Sequence, residues 1–139
     1  GGRAADDDDD DDVDDGERVA KKRRKAAPAA GGSIVNVSSG LMKFEGHPLF
    51  YAMSKSALDT MALGLSKSLP ASDGIRINTV APGTTATDLV SPERAEALKS
   101  VVPMGRVARP EEVAECIAFL LEDGSGYCCG ATISVTGGR

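Results

Sequence analysis

The chain has 139 residues, 16 Lys and Arg against 21 Asp and Glu, and a net charge of −5. That length allows one ordinary domain, and the acidic balance excludes a large phosphate-neutralising surface, so nucleic acid is not an expected partner. The longest unbroken apolar run, Ile117 to Leu121, is far too short to span a bilayer, and the polar, acidic N-terminus is not a secretory signal.

Residues 1–32 come first and read as a disordered, charged tail. Asp6 to Asp12 is an unbroken acidic run, Asp14, Asp15 and Glu17 extend it, and Lys21 to Lys25 follow as KKRRK. Like charges at that density repel, and no aromatic, Leu or Ile is there to offset the entropy of ordering. The basic cluster resembles a nuclear-localisation signal, set against the more ordinary role of a solvated linker. The opening Gly1 and the change of composition at Gly31 lead us to expect a processed chain or a piece of something longer.

From Ser33 the texture changes. Ile34, Val35 and Val37 form a β-branched run that stops at Ser38-Ser39-Gly40, a buried strand and its turn. After Pro48, apolar residues recur at helical spacing (Phe50, Ala57, Leu58, Met61, Leu65, Leu69), predicting a helix of about five turns closed by Pro70 and Ser72-Asp73-Gly74. Ile75, Ile77 and Thr79 alternate with Arg76 and Asn78 in a second strand ending at Pro82-Gly83. A short helix is expected near Pro92 to Ser100. Another begins at Pro110, with Glu111 and Glu112 suiting its dipole and Val113, Ile117, Leu120 and Leu121 as its face. Ala131, Ile133 and Val135 make a third strand, closed by Gly137-Gly138. Strands separated by helices are the grammar of a parallel sheet with crossovers. The expected fold is therefore α/β, part of a doubly wound, Rossmann-like sheet of about three parallel strands, over residues 33–139. The cysteines Cys116, Cys128 and Cys129 form neither a spaced metal pattern nor a disulfide framework. No metal is expected, and a reduced, cytoplasmic compartment fits, with a nuclear one through Lys21 to Lys25 as the alternative.

Tyr51 and Lys55 stand four apart on the long helix and so share a face. A Lys ammonium one turn away favours the ionised form of a phenol, which suits it to exchange a proton with an alcohol or carbonyl. For a Tyr–Lys pair alone, packing and solvation would be the ordinary explanation. Here the strand ending in Asn36-Val37-Ser38-Ser39 precedes the pair, and the second strand ends in Ala81-Pro82-Gly83 followed by Thr84, Thr85 and Thr87. Hydroxyls at strand carboxyl ends lie where open α/β sheets bind ligands.

This set resembles the short-chain dehydrogenase/reductase family. The family's Tyr-x-x-x-Lys appears as Tyr51-Ala52-Met53-Ser54-Lys55, continuing through Ser56-Ala57-Leu58-Asp59. Ile75-Arg76-Ile77-Asn78 with Ala81-Pro82-Gly83, Arg109-Pro110-Glu111-Glu112-Val113-Ala114, and Gly130-Ala131 to Gly137-Gly138 match as well. The likeness covers about residues 32–139. It implies an NAD(P)-dependent oxidoreductase that transfers a hydride between NAD or NADP and a small alcohol or ketone. By the same resemblance Tyr51 is the general acid/base, Lys55 holds the nicotinamide ribose, and Ser39 orients the carbonyl. Pro82, Gly83 and Thr85, with the Thr87 hydroxyl, hold the carboxamide end of the nicotinamide. The short Tyr–Lys spacing argues against the family's enoyl reductases and for ketone or 3-oxoacyl reduction.

Some of the pattern departs from the family. Neither a glycine-rich phosphate turn after a first strand nor an Asn-Asn-Ala-Gly strand end is present, so the N-terminal half of the fold is expected to be missing, along with the determinant of NAD against NADP. Ser39 to Tyr51 is one residue shorter than the family's usual spacing. Ser38 restores the spacing but sits one place early; Ser39 is preferred because a loop deletion costs less than inverting a strand's facing. Thr136 stands where relatives often have Asp. His47 reads as a loop residue, and the stretch from Asp88 to Arg109, which should line the pocket, shows no recognisable chemistry. The first strand should have a bare edge and the long helix no packing partner. The alternative function is accordingly a catalytically inactive fragment acting through association, as a homo-oligomer or with a full-length relative.

Overall fold

The computed structural model describes residues 31–43 and 48–139. The charged tail up to residue 30, its Lys21 to Lys25 cluster and His47 lie outside them.

Three strands form one parallel sheet: β1 (Ser33–Val37), β2 (Arg76–Pro82) and β3 (Thr132–Val135), in the order β1-β2-β3. The strands are neighbours in chain order. Ile34 pairs with Ile77 and Asn36 with Thr79, while Val80 lies between Val37 on one side and Ile133 on the other. Parallel partners share a face, so the register sorts the side chains. Asn36 donates to the Leu58 carbonyl (3.4 Å) and Ser38 to that of Lys55 (3.1 Å), which fixes one face against helix α1 (Leu49–Leu65). Val35, Val80, Ile133 and Val135 take the other face, where they meet Val113, Cys116, Ile117 and Leu120 of helix α4 (Pro110–Leu121). Both faces of β2 are thus covered, as a central parallel strand requires. Because the strand order advances one way while α1 and α4 lie on opposite faces, the two crossovers have opposite hands. One of them runs against the usual right-handed rule.

Central burial changes the meaning of the alternation expected in β2. Asn78 and Thr79 are as buried as Ile77, Val80 and Ala81. Asn78 is satisfied by bridging to the entry of β3: its amide donates to the Cys128 carbonyl (2.8 Å), and its oxygen accepts the Ala131 N–H (3.0 Å). Arg76 is not a solvent-facing residue either. Its guanidinium donates to the carbonyls of Leu120 (3.1 Å), Glu122 (3.2 Å), Ser125 (3.1 Å) and Cys128 (3.3 Å). Those oxygens include the last carbonyls of α4, where a cation also complements the dipole.

Several boundaries differ from the sequence expectation. The long helix ends at Leu65, because Ser66 and Ser68 hydroxyls bond the carbonyls of Leu63 (2.8 Å) and Leu65 (3.4 Å) and a turn follows. Pro70 therefore does not close it. It begins a separate turn, α2 (Leu69–Ser72), where its missing N–H is not needed. Helix α3 spans Pro92–Leu98, with the Ser91 hydroxyl accepting the Arg94 N–H (3.3 Å) as its cap. In α4, Leu121 is 50 % exposed and Cys116 packs on the core in its place; one residue past Leu120 is about 100° around the helix. Among the described residues no helix is long and apolar enough to cross a membrane.

The expected bare surfaces are present. Ile34 and Val37 are exposed on β1, and Phe50, Met53, Met61 and Leu63 on α1.

Candidate active site

The carboxyl ends of β1 and β2 and the first turns of α1 meet at one rim. Beyond β1, the Ser38 N–H continues the ladder by donating to the Val80 carbonyl (2.8 Å). The Ser38 hydroxyl and the Lys55 side chain then make reciprocal ties between strand and helix: Ser38 Oγ donates to the Lys55 carbonyl (3.1 Å), and Lys55 Nζ donates to the Val37 carbonyl (3.0 Å). The same ammonium lies 5.8 Å from the centroid of the Tyr51 ring, within range of a cation–π attraction. Tyr51 and Lys55 thus share a face, as their spacing required. Ser39, buried beside them, makes no side-chain hydrogen bond among the described residues. Ser38 is committed to the helix backbone, whereas the Ser39 hydroxyl has bonding capacity left.

Past β2, the chain is held by close backbone approach. The Gly83 N–H donates to the Val135 carbonyl (2.8 Å), and a Cβ on Gly83 would stand 2.9 Å from the Thr136 Cα. A Cβ on Gly40 would meet the Thr136 methyl, so both glycines admit Thr136 between the strand ends. Thr136, expected as a departure with open consequences, packs this junction. The following loop is pinned by Ala86 N–H to Ala108 O (2.8 Å) and Ala108 N–H to Thr84 O (3.0 Å), with Thr85 Oγ1 folded back onto the Gly83 carbonyl (3.2 Å).

Two adjoining clefts result. One, of about 490 Å³, is lined by Ser38, Ser39, Tyr51, Lys55, Pro82 and Gly83, with Val37, Leu41 and Pro48. The other, of about 340 Å³, is lined by Thr84, Thr85, Thr87, Leu89, Val90, Arg94 and Leu98. Leu41, Tyr51 and Gly83 line both, so the phenol stands at their junction. Every residue singled out from sequence as catalytic or cofactor-binding lies in one cleft or the other. The sequence placed the stretch from Asp88 to Arg109 at the pocket but singled out none of its Leu89, Val90, Arg94 and Leu98, and it missed Leu41. Residues 88–99 have no strand or long-helix period, and Arg94 does not stand out there because Asp88, Glu93, Glu96 and Lys99 surround it in sequence. No group of His, Cys, Asp and Glu among the described residues is placed to hold a metal, and the cysteines are unpaired.

A parallel sheet covered on both faces, with hydroxyl and ammonium groups gathered at its strand ends, is a Rossmann-like α/β domain with a ligand rim. The chain matches the family model described as enoyl-(acyl carrier protein) reductase over residues 18–139. It is 41% identical over 114 residues to an uncharacterized oxidoreductase of Escherichia coli, covering 78% of this chain and 46% of that protein. To the 3-oxoacyl-[acyl-carrier-protein] reductase of Thermotoga maritima it is 44% identical over 112 residues, covering 77% of this chain and 45% of the relative. The structure of an angucycline C-6 ketoreductase with bound NADP superposes with a TM-score of 0.71 at 36% identity, over 88% of this chain and 48% of that one. The chain belongs to the short-chain dehydrogenase/reductase family. It spans less than half the length of the relatives it matches.

Proposed function

We propose that this chain supplies the catalytic and substrate-binding half of an NAD(P)-dependent oxidoreductase acting on an alcohol or ketone, with 3-oxoacyl and simple carbonyl compounds as the substrate class. The observation that carries this reading is convergence: Ser39, Tyr51, Lys55, Pro82 and Gly83 come from three chain segments and line one cleft. The description of the matched family model names enoyl reductases. The Thermotoga relative and the angucycline enzyme are carbonyl reductases, and the four-residue Tyr51–Lys55 step sides with them.

In this reading the Tyr51 hydroxyl gives its proton to the carbonyl oxygen during reduction and takes it back during oxidation. Lys55, oriented by its bond to the Val37 carbonyl, places a positive charge beside the phenol and favours the charge it develops. Ser39 donates to the same carbonyl oxygen and holds it in line. A bound nicotinamide supplies or accepts the hydride. The residues present fit its nicotinamide-ribose end: Lys55 for the ribose hydroxyls, and Pro82, Gly83, Thr85 and Thr87 around the carboxamide. For the pyrophosphate, the described residues offer no glycine turn leading from a strand directly into a helix. The NADP in the similar ketoreductase makes NADPH the first cofactor to try, with NADH second. A cytoplasmic location suits the unpaired cysteines.

A second reading is association through α1, as a homo-oligomer or with a full-length relative. The outward Phe50, Met53 and Leu63 favour it.

Reduced nicotinamide mononucleotide tests the first reading with the end of the cofactor that this half should hold. Titrated into the chain and followed by the NMR signals of Tyr51, it should bind, and Lys55→Met should weaken binding about tenfold. Equal binding by chain and variant would remove Lys55 from the site.

A further inference from the structure

The two clefts meeting at Tyr51 each carry one cation, Lys55 in the first and Arg94 in the second. In the proposed function the first contains Ser39, Lys55, Pro82 and Gly83, all assigned to the reacting carbonyl or the nicotinamide. The second adds a wall from the loop after β2 and from α3, with Thr84, Thr85, Thr87, Leu89, Val90 and Leu98, and Leu41 lines it too. Arg94 is the one permanently charged residue of that wall.

Among the described residues Arg94 makes no ion pair, and the acids of the same helix are engaged elsewhere. Glu96 pairs with Lys99 (2.5 Å). The Glu93 carboxyl is held below its ordinary range by its own backbone N–H and by Ser91 at the helix start. The Arg94 side chain is exposed, stands beside Leu89, Val90 and Leu98 and the hydroxyl residues Thr84, Thr85 and Thr87, and has no carboxylate partner among the described residues; a guanidinium so placed offers a fork to a planar or tetrahedral oxyanion.

We infer that the substrate is an anionic carbonyl compound, bearing a carboxylate or a phosphate that Arg94 binds while its oxo group lies at Tyr51. This rests on the oxidoreductase reading and deepens it, with Arg94 as the specificity-determining residue.

The test uses the full chain and matched probes: 4-oxopentanoate against its methyl ester, and dihydroxyacetone phosphate against dihydroxyacetone. Binding is read from the NMR signals of Tyr51, which are distinct because the only other tyrosine is Tyr127. At least one anion should bind about tenfold more tightly than its neutral partner, as a charge-assisted contact provides. Arg94→Gln should bring that ratio close to one, and Arg94→Lys should keep part of it. A larger ratio for the first pair identifies a carboxylate, for the second a phosphate. Equal binding within both pairs, absence of binding by all four probes, or a preference unchanged in Arg94→Gln would overturn the inference. Reduction of the same probes with NADPH separates the two proposals. Anion preference without hydride transfer would leave Arg94 standing and remove the oxidoreductase reading. Hydride transfer without preference would do the reverse.

Discussion

The two faces of the sheet are finished to different degrees. On the α4 face, Leu120 and Val80 are 0 % exposed and the helix is fastened at both ends. Glu112 accepts from Arg106 (2.7 and 2.6 Å) and from the Arg109 N–H (2.8 Å) at its start, and Arg76 gathers the carbonyls at its finish. On the α1 face, Ala62 is the only buried residue of the helix, and Phe50 is 82 % exposed. There the helix is tied to the strand by polar bonds from Asn36, Ser38 and Lys55. Two polar atoms on this face, Thr79 Oγ1 and Asp59 Oδ1, are buried without a hydrogen-bond partner among the described residues. Stability and candidate chemistry are therefore segregated: α4 holds the sheet, and α1 presents Tyr51 and Lys55 at its rim.

Core truncation tests that segregation with the largest effect. Leu120→Ala should cost about 2–5 kcal/mol, as for other fully buried leucines. Phe50→Ala on α1 should stay within about 0.5 kcal/mol, because little of its area is buried. Urea unfolding of both variants measures the contrast, and equal losses would break it. Next in size is Arg76→Met, which keeps the apolar stem and removes the donors to the end of α4. It should cost about 2–3 kcal/mol, the scale for hydrogen bonds from a charged group.

The smallest effect is a pH dependence. Hydrogen bonds from Arg106 and from the Arg109 backbone pull the Glu112 carboxyl from 4.5 down to about 2. A depressed carboxyl stabilises the fold fully above its unfolded value and loses that contribution as pH falls through its folded value. The α4 anchor should thus weaken between about pH 4.5 and 2. Glu112→Gln should flatten that part of the urea-midpoint profile. An unchanged slope would show that the pair contributes nothing there.

Much of this was legible in the residues. The order of strands and helices followed from β-branched runs, turn signals and a Pro at the start of α4. The Tyr51–Lys55 face followed from helix periodicity. Local pattern failed where contacts span distant segments. Arg76 and Asn78 read as the polar side of an alternating strand, yet their partners at Leu120, Cys128 and Ala131 bury them. The end of α1 was misplaced because serine hydroxyls capture its last carbonyls before Pro70 is reached. The stretch from Asp88 to Arg109 was expected at the pocket, but Arg94 did not stand out in it, because its residues meet Tyr51 only when the loop after β2 is folded back against Ala108.

This division of labour assigns the proposed reaction to the α1 face and the fold to the α4 face. Its most direct test is Tyr51→Phe, assayed for NADPH-dependent reduction of a 3-oxoacyl thioester alongside thermal unfolding. Reduction should fall at least about a hundredfold, the usual contribution of a general acid, with the unfolding midpoint unchanged. Undiminished turnover in the variant, or none in the unaltered folded chain, would contradict the account.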